Sequence, residues 1–60
     1  MKVKNILTID TDFSFVDAEI TNCNNKDELD YKIANAEVIE IKEEGKVYNV
    51  NSSYILSYEL

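Results

Sequence analysis

Apolar and polar residues alternate at the start of the chain in the period-two pattern typical of β-strands. Residues 2–9 are rich in β-branched side chains and predict a first strand. Its alternating face carries Val3, Leu7 and Ile9, and Ile6 falls on the opposite face. We therefore expect the chain to open with a strand that buries one side.

A second strand is predicted over residues 13–21, although its apolar residues fall in two phases. Phe13 and Phe15 share one phase, and Val16 begins the other. A bulge near Phe15 and Val16, or a short turn there, would reconcile the two phases. The Asn-rich stretch 22–27 predicts a loop, because Asn and Asp bond their own backbone and tolerate left-handed conformations.

Residues 27–36 fit two patterns. Asp27 is a suitable cap for a helix, yet Leu29, Tyr31 and Ile33 also alternate as in a strand. We favour the strand, because the segment is rich in middling helix formers and no Gly ends the helix that it would form. A short helix in 27–36 is the chief alternative.

The last third of the chain gives the clearest pattern. Residues 37–50 predict a hairpin with its turn at 43–46, where Gly45 is suited to a positive φ. Residues 51–54 suit a tight turn or one turn of 3-10 helix, and residues 55–59 suit a short closing strand. A hairpin, a tight turn and a short strand therefore follow one another.

That order resembles the end of SH3-like barrels, and the resemblance covers about the last 25 residues. It implies a fold and no function. We expect residues 1–60 to form a single, mainly β domain, a small five- or six-stranded SH3-like barrel. The alternative is an α+β fold with a short helix in 27–36.

The length of the chain limits its core. A domain of 60 residues is near the size at which burial only just outweighs conformational entropy, so a deep active-site cavity is not expected. With a single Cys there is no internal disulfide, and Cys23 is interpreted as a plain loop thiol of a cytoplasmic protein. Self-association, as a homodimer or in a tight partner complex, would bury more apolar area.

The charge of the chain restricts its partners. Twelve acidic residues against six lysines give a net charge of −6, and the sequence contains neither Arg nor His. This balance disfavours direct binding to nucleic acid and to anionic membranes, and it favours basic partners. We therefore expect a protein partner that is basic or itself binds nucleic acid.

Two carboxylates, Asp10 and Asp12, stand at the end of the first strand. The motif looks like the strand-end Asp-x-Asp of phosphoryl-transfer enzymes, but this chain is too short to supply the rest of such a site, and we interpret it as a strand end entering a turn. A Ca²⁺ site with Asp17 and Glu19 lacks the spacing of an EF-hand. Without His, a second Cys or a Gly-rich loop, we expect no enzyme, metal site or cofactor.

Acidic and aromatic side chains are the candidates for a binding surface. No Lys occurs between Asn5 and Asn25, where four acids lie. Tyr is enriched in interface hot spots, and we expect Tyr48 and Tyr58 to be exposed, with Tyr54 packed as a turn anchor. The predicted partner-binding residues are Asp10, Asp12, Asp17, Glu19, Tyr48 and Tyr58.

These features favour a non-enzymatic, acidic protein-binding module. Its size, acidity and Arg-free composition are similar to those of small inhibitors that phages encode against host enzymes or defence complexes. The alternative is a self-assembling structural subunit whose charge only gives solubility. A hydrolase that uses Asp10 and Asp12 is a third, weaker hypothesis.

Overall fold

Five strands, one short helix and a 3-10 turn make up the computed structural model, which describes residues 1–10 and 14–60. In chain order they are β1 (Lys2–Thr8), β2 (Ser14–Ile20), α1 (Lys26–Ala34), β3 (Val38–Glu43), β4 (Lys46–Asn51), the 3-10 turn (Ser52–Tyr54) and β5 (Ile55–Glu59). The strands are antiparallel and lie side by side in the order β4-β3-β2-β1-β5. The predicted mainly β fold is confirmed, as is the sequence of hairpin, tight turn and closing strand.

The strand favoured for residues 27–36 is wrong, because residues 27–34 lie in helix α1 and residues 35–36 form its C-terminal cap. Asn25 caps the helix through its side-chain oxygen, which accepts a hydrogen bond from the Glu28 amide at 2.9 Å. The Glu28 carboxylate in turn accepts a hydrogen bond from the Asn24 amide at 2.8 Å. This reciprocal capping satisfies amides at the start of the helix and compensates for the middling helix propensity of the residues that follow.

The helix ends without the Gly whose absence had favoured a strand. Ala36 takes the left-handed conformation, with φ of 53°, that Gly usually occupies at this place. The Ala36 amide bonds to the Ile33 carbonyl at 3.2 Å, and the Glu37 amide bonds to the Lys32 carbonyl at 2.9 Å. This is the hydrogen-bond pattern of a Schellman motif, which an Ala adopts here at a steric cost of about 1 kcal/mol.

The helix also arranges its apolar residues better than a strand would. Leu29 is fully buried, and Ile33, one turn later, is half-buried against the core. Tyr31 points to solvent, whereas a strand would place it on the same face as both. The buried core of the described residues consists of Val3, Ile6, Phe15, Ala18, Ile20, Cys23, Leu29, Ile39 and Ile41.

In each of the first two strands, the alternation of buried and exposed side chains shifts by one residue part-way along the strand. In β2, Phe15 and Ala18 are buried, and the two residues between them, Val16 and Asp17, are both exposed. The predicted bulge is replaced by a positive φ of 52° at Asp17, and the register with β1 stays continuous around it. The local turn of the backbone lets both halves of β2 present apolar side chains to one core.

Strand β1 changes phase in step with its neighbour. Val3 and Ile6 are both buried and pair with Ala18 and Phe15 of β2. The expectation that Leu7 shares a buried face with Val3 is therefore wrong for Leu7, which is exposed; Ile9, beyond the end of β1, is exposed as well.

A two-residue turn joins β3 to β4. Glu44 and Gly45 both have positive φ, 50° and 78°, as a type I′ turn requires. The prediction that Gly45 supplies a positive φ is confirmed. This turn fixes the register of the hairpin, in which Glu43 pairs with Lys46 and all six residues of each strand have partners.

Replacing Ala36 by Gly is expected to stabilise the protein by about 0.5–1 kcal/mol, because Gly adopts a positive φ without steric cost. The matched control, Ala34→Gly, lies in the last turn of the same helix and should destabilise by about 0.5–1 kcal/mol. Urea unfolding of the three proteins measures both effects. Equal losses of stability would contradict the left-handed role of Ala36.

Candidate functional site: a groove beside the 3-10 turn

A groove of about 380 Å³ opens between the end of β1, the end of β4 and the 3-10 turn. Ile9 and Tyr54 line it and are 57% and 52% exposed, although both side chains are large and apolar. Val50, which is half-buried, packs against the core beneath. The full lining is Thr8, Ile9, Asp10, Asn49, Val50, Asn51 and Tyr54. Apolar side chains with a polar rim are the usual composition of a binding groove.

Backbone hydrogen bonds hold the segments that carry Ile9 and Tyr54 in place. The Ile9 amide donates a hydrogen bond to the Tyr54 carbonyl at 2.8 Å, which joins the end of β1 to the 3-10 turn. The Asn51 side chain caps this turn by accepting a hydrogen bond from the Ser53 amide at 2.9 Å. Tyr54 is therefore presented from a fixed turn, and little backbone ordering would be needed on binding.

Ser52 anchors the same turn to the helix. It is fully buried, and its hydroxyl donates to the Lys32 carbonyl at 2.9 Å. Its amide donates to the Glu37 carbonyl at 3.1 Å. The hydroxyl and the amide of this buried residue are thus satisfied, and the 3-10 turn is attached to the end of α1 on one side and to the end of β1 on the other.

The groove belongs to the part of the chain with the least charge. Residues 47–58 contain no charged side chain, although the chain has 12 acids and six lysines. This uncharged segment comprises most of β4, the 3-10 turn and most of β5. Depletion of charge together with enrichment of Tyr distinguishes the centre of protein interfaces from the rest of the surface.

Two further apolar side chains are exposed on β1 and β5. Leu7 on β1, two residues before Ile9, is 50% exposed, and Leu56 on β5, two residues after Tyr54, is 66% exposed. The register of β1 with β5 shifts between Leu7 and Thr8, so that Leu56 is the extra residue of a bulge. Together with Ile9 and Tyr54, these make up four of the nine large hydrophobic residues that are exposed among the described ones.

Of the predicted site residues, Asp10 lies in the groove, and its carbonyl accepts a hydrogen bond from the Thr8 hydroxyl at 2.9 Å. Asp12 lies outside the described residues. Within residues 1–10 and 14–60, no three His, Cys, Asp or Glu side chains are grouped as a metal site would need.

Asp17 and Glu19 line a different cleft, of about 550 Å³. Lys2 and Lys42 pair with Glu19 from the two neighbouring strands. Lys4 also lines this cleft, which therefore contains three lysines beside Asp17, Glu19 and Glu44. The lysine-free stretch of sequence thus does not produce a purely negative surface, because neighbouring strands bring positive charge to it.

The predicted exposure of the tyrosines is wrong. Tyr48 is half-buried and packs edge-to-face on Phe15, with ring centroids 5.3 Å apart. Tyr58 is also half-buried, and its hydroxyl donates a hydrogen bond to Asp30. Tyr54, expected to be packed, is exposed instead. The tyrosines that reach solvent are those on helical segments, because the strand tyrosines fill the small core.

Asp30 links the helix to the last strand. The Lys26 ammonium lies 2.6 Å from the Asp30 carboxylate, and its hydrogen bond, with that of Tyr58, lowers the pKa of Asp30. The same hydrogen bond from Tyr58 raises the pKa of Tyr58, because the hydroxyl must lose its proton beside a carboxylate. The hydrogen bond with Asp30 also raises the pKa of Lys26.

Cys23 belongs to the core and offers no reactive group. Its side chain is 1% exposed, and burial raises the pKa of the thiol. A reactive cysteine needs the opposite, a lowered pKa and access to solvent.

No known family model matches the chain, and no curated protein or solved structure is significantly similar to it. In the part of the chain that the structure describes, no helix has the length and apolarity needed to cross a membrane.

Protonation of Asp30 is expected to weaken the fold. Because its pKa is lower in the folded state, the stabilisation is present above the unfolded pKa and is lost as the pH falls through the folded pKa. Asp30→Asn should therefore lower the free energy of unfolding at neutral pH and reduce its decline in acid. Urea unfolding at a series of pH values measures this, with Asp27→Asn on the same helix as the control. An unchanged pH dependence in Asp30→Asn would contradict the assignment.

Proposed function

We propose that the protein is a non-enzymatic protein-binding module whose groove receives an apolar segment of a larger partner. The observation that carries this proposal is the exposure of Ile9 and Tyr54 on a fixed frame beside an uncharged segment. Exposed apolar patches of this kind, with a polar rim, commonly mark protein interaction sites.

The extent of the surface supports a protein ligand over a small molecule. The groove is open, and Leu7 and Leu56, each two residues along the chain from a groove residue, are exposed as well. A small ligand would leave these side chains in water, whereas a protein surface would cover them. Tyr54, stiff and large with a polar tip, is the side chain best suited to be the hot spot.

The charge of the chain favours a basic partner. The net charge of −6 attracts positively charged proteins over a distance, and Asp10 places a carboxylate at the rim of the groove. Electrostatic attraction would speed the encounter, and the uncharged groove would supply the contact area.

Inhibition is the proposed consequence of binding. A partner that is basic in order to bind nucleic acid or another acidic ligand loses that surface once this module covers it. The similarity in size, acidity and Arg-free composition to small phage inhibitors of host enzymes or defence complexes supports this role.

Tyr54→Ala is expected to weaken partner binding about tenfold or more, as loss of a hot-spot Tyr does. The matched control is Tyr31→Ala, which removes the same side chain at 65% exposure from helix α1, on a surface with Asp27, Glu28 and Glu37. Both variants and the wild type are used to capture partners from a lysate of the native host, and each identified partner is then titrated by calorimetry.

The two variants separate the two candidate surfaces. Loss of affinity in Tyr54→Ala with Tyr31→Ala within about twofold of the wild type supports the groove. The reverse result would overturn the groove and transfer binding to the acidic face of α1. Affinity that falls as salt is raised would support a basic partner, and affinity independent of salt would contradict it.

A further inference from the structure

Strand β4 lies at one end of the sheet, so no strand of the sheet pairs with its outer side. The two-residue turn makes Glu43 and Lys46 a hydrogen-bonded pair, and such pairs alternate along an antiparallel ladder. Tyr48 and Val50 therefore bond to β3, while Val47 and Asn49 direct their N–H and C=O groups outward. Among the described residues, no other backbone group bonds to these two on that side.

This edge carries little of the protection that sheet edges usually have. Protected edges are short, bulged, charged or covered. Strand β4 pairs with β3 without a register shift over its whole length, and its only charge, Lys46, stands next to the turn. The opposite edge strand, β5, is interrupted by the bulge at Leu56 and ends with Glu59.

The charges along β4 permit a second β4 strand to approach this edge, despite the net charge of the whole chain. Two copies repel each other, since each carries a net charge of −6. The part of β4 after Lys46 is uncharged, so two β4 edges can meet without opposing carboxylates. Burial of additional surface is also what a domain with a small core gains most from.

We infer that β4 pairs with β4 of a second copy of this chain. The strands run antiparallel about a two-fold axis at Tyr48, with Val47 opposite Asn49 of the second copy and the reverse. Each such pair exchanges two hydrogen bonds, so every outward backbone group of Val47 and Asn49 gains a partner. The two five-stranded sheets become continuous across the dimer. Asn49 also lines the groove, so the paired edge adjoins it, but the inference does not rest on the proposed inhibitory role.

Sedimentation equilibrium of the full chain tests the dimer. The wild type should dimerise at micromolar concentrations, and Val47→Lys should weaken the dimer at least tenfold, because it places a charge on the paired edge. The matched control is Leu56→Lys on β5, which is similarly exposed in the monomer and should leave the dissociation constant within about twofold. A monomeric wild type, or equal effects of the two variants, would overturn the inference.

Asn49→Pro provides a second variant that spares the hairpin. Its N–H faces away from β3, so proline removes an intermolecular hydrogen bond without breaking the ladder within the chain. It should be monomeric and retain the circular dichroism spectrum of the wild type. A dimeric Asn49→Pro variant would overturn the inference.

Amide hydrogen exchange locates the interface. The amides of Val47 and Asn49 should become protected as the protein concentration rises, and added NaCl should tighten the dimer by screening the repulsion between two acidic chains. A dimer in which these amides exchange as in the monomer would place the interface elsewhere and overturn the proposal. Tyr54→Ala should leave the dimer intact, so the groove and the edge are tested separately.

Discussion

Ser52 joins the end of helix α1 to the 3-10 turn between β4 and β5, and the candidate groove depends on this connection. Its buried hydroxyl donates to the Lys32 carbonyl in the last turn of helix α1, and its amide donates to the Glu37 carbonyl just before β3; the Lys32 carbonyl also accepts the Glu37 amide that closes the helix. One buried side chain thus stabilises a helix end that lacks Gly and fixes the turn that carries Tyr54. The groove and the path of the chain from β4 into β5 both depend on these hydrogen bonds, since burial without them would be costly.

How much of this fold is predictable from sequence depends on the range of the interactions involved. The hairpin around Gly45 was predictable, because its alternation and its turn residue are local signals. The start of the helix also carries a local signal, since Asn25 followed three residues later by Glu28 is a typical N-cap pattern, but its end does not, because Ala36 takes a conformation usually left to Gly. Phase changes in β1 and β2 depend on the shape of the shared core, which local alternation does not report.

The candidate site shows the same division. Asp10 was selected from the sequence and lies at the groove, but the lysines around Glu19 are distant in sequence and come from other strands. Tyr48 and Tyr58 are half-buried because a core of this size needs their rings. One usable signal was overlooked: residues 47–58 are free of charge in a highly charged chain, and that stretch supplies four of the seven residues that line the groove.

The bulge at Leu56 would limit the proposed β4 pairing to two copies. If β4 pairs with β4 of a second copy, both regular edges are hydrogen-bonded to each other. The two bulged β5 strands then form the outer edges of the combined sheet. Such ends are poor templates for another strand, so growth stops at a closed, two-fold symmetric pair rather than continuing into a filament. The irregularity at Leu56 on β5 therefore allows β4 to keep an edge that can pair without the risk of open-ended assembly.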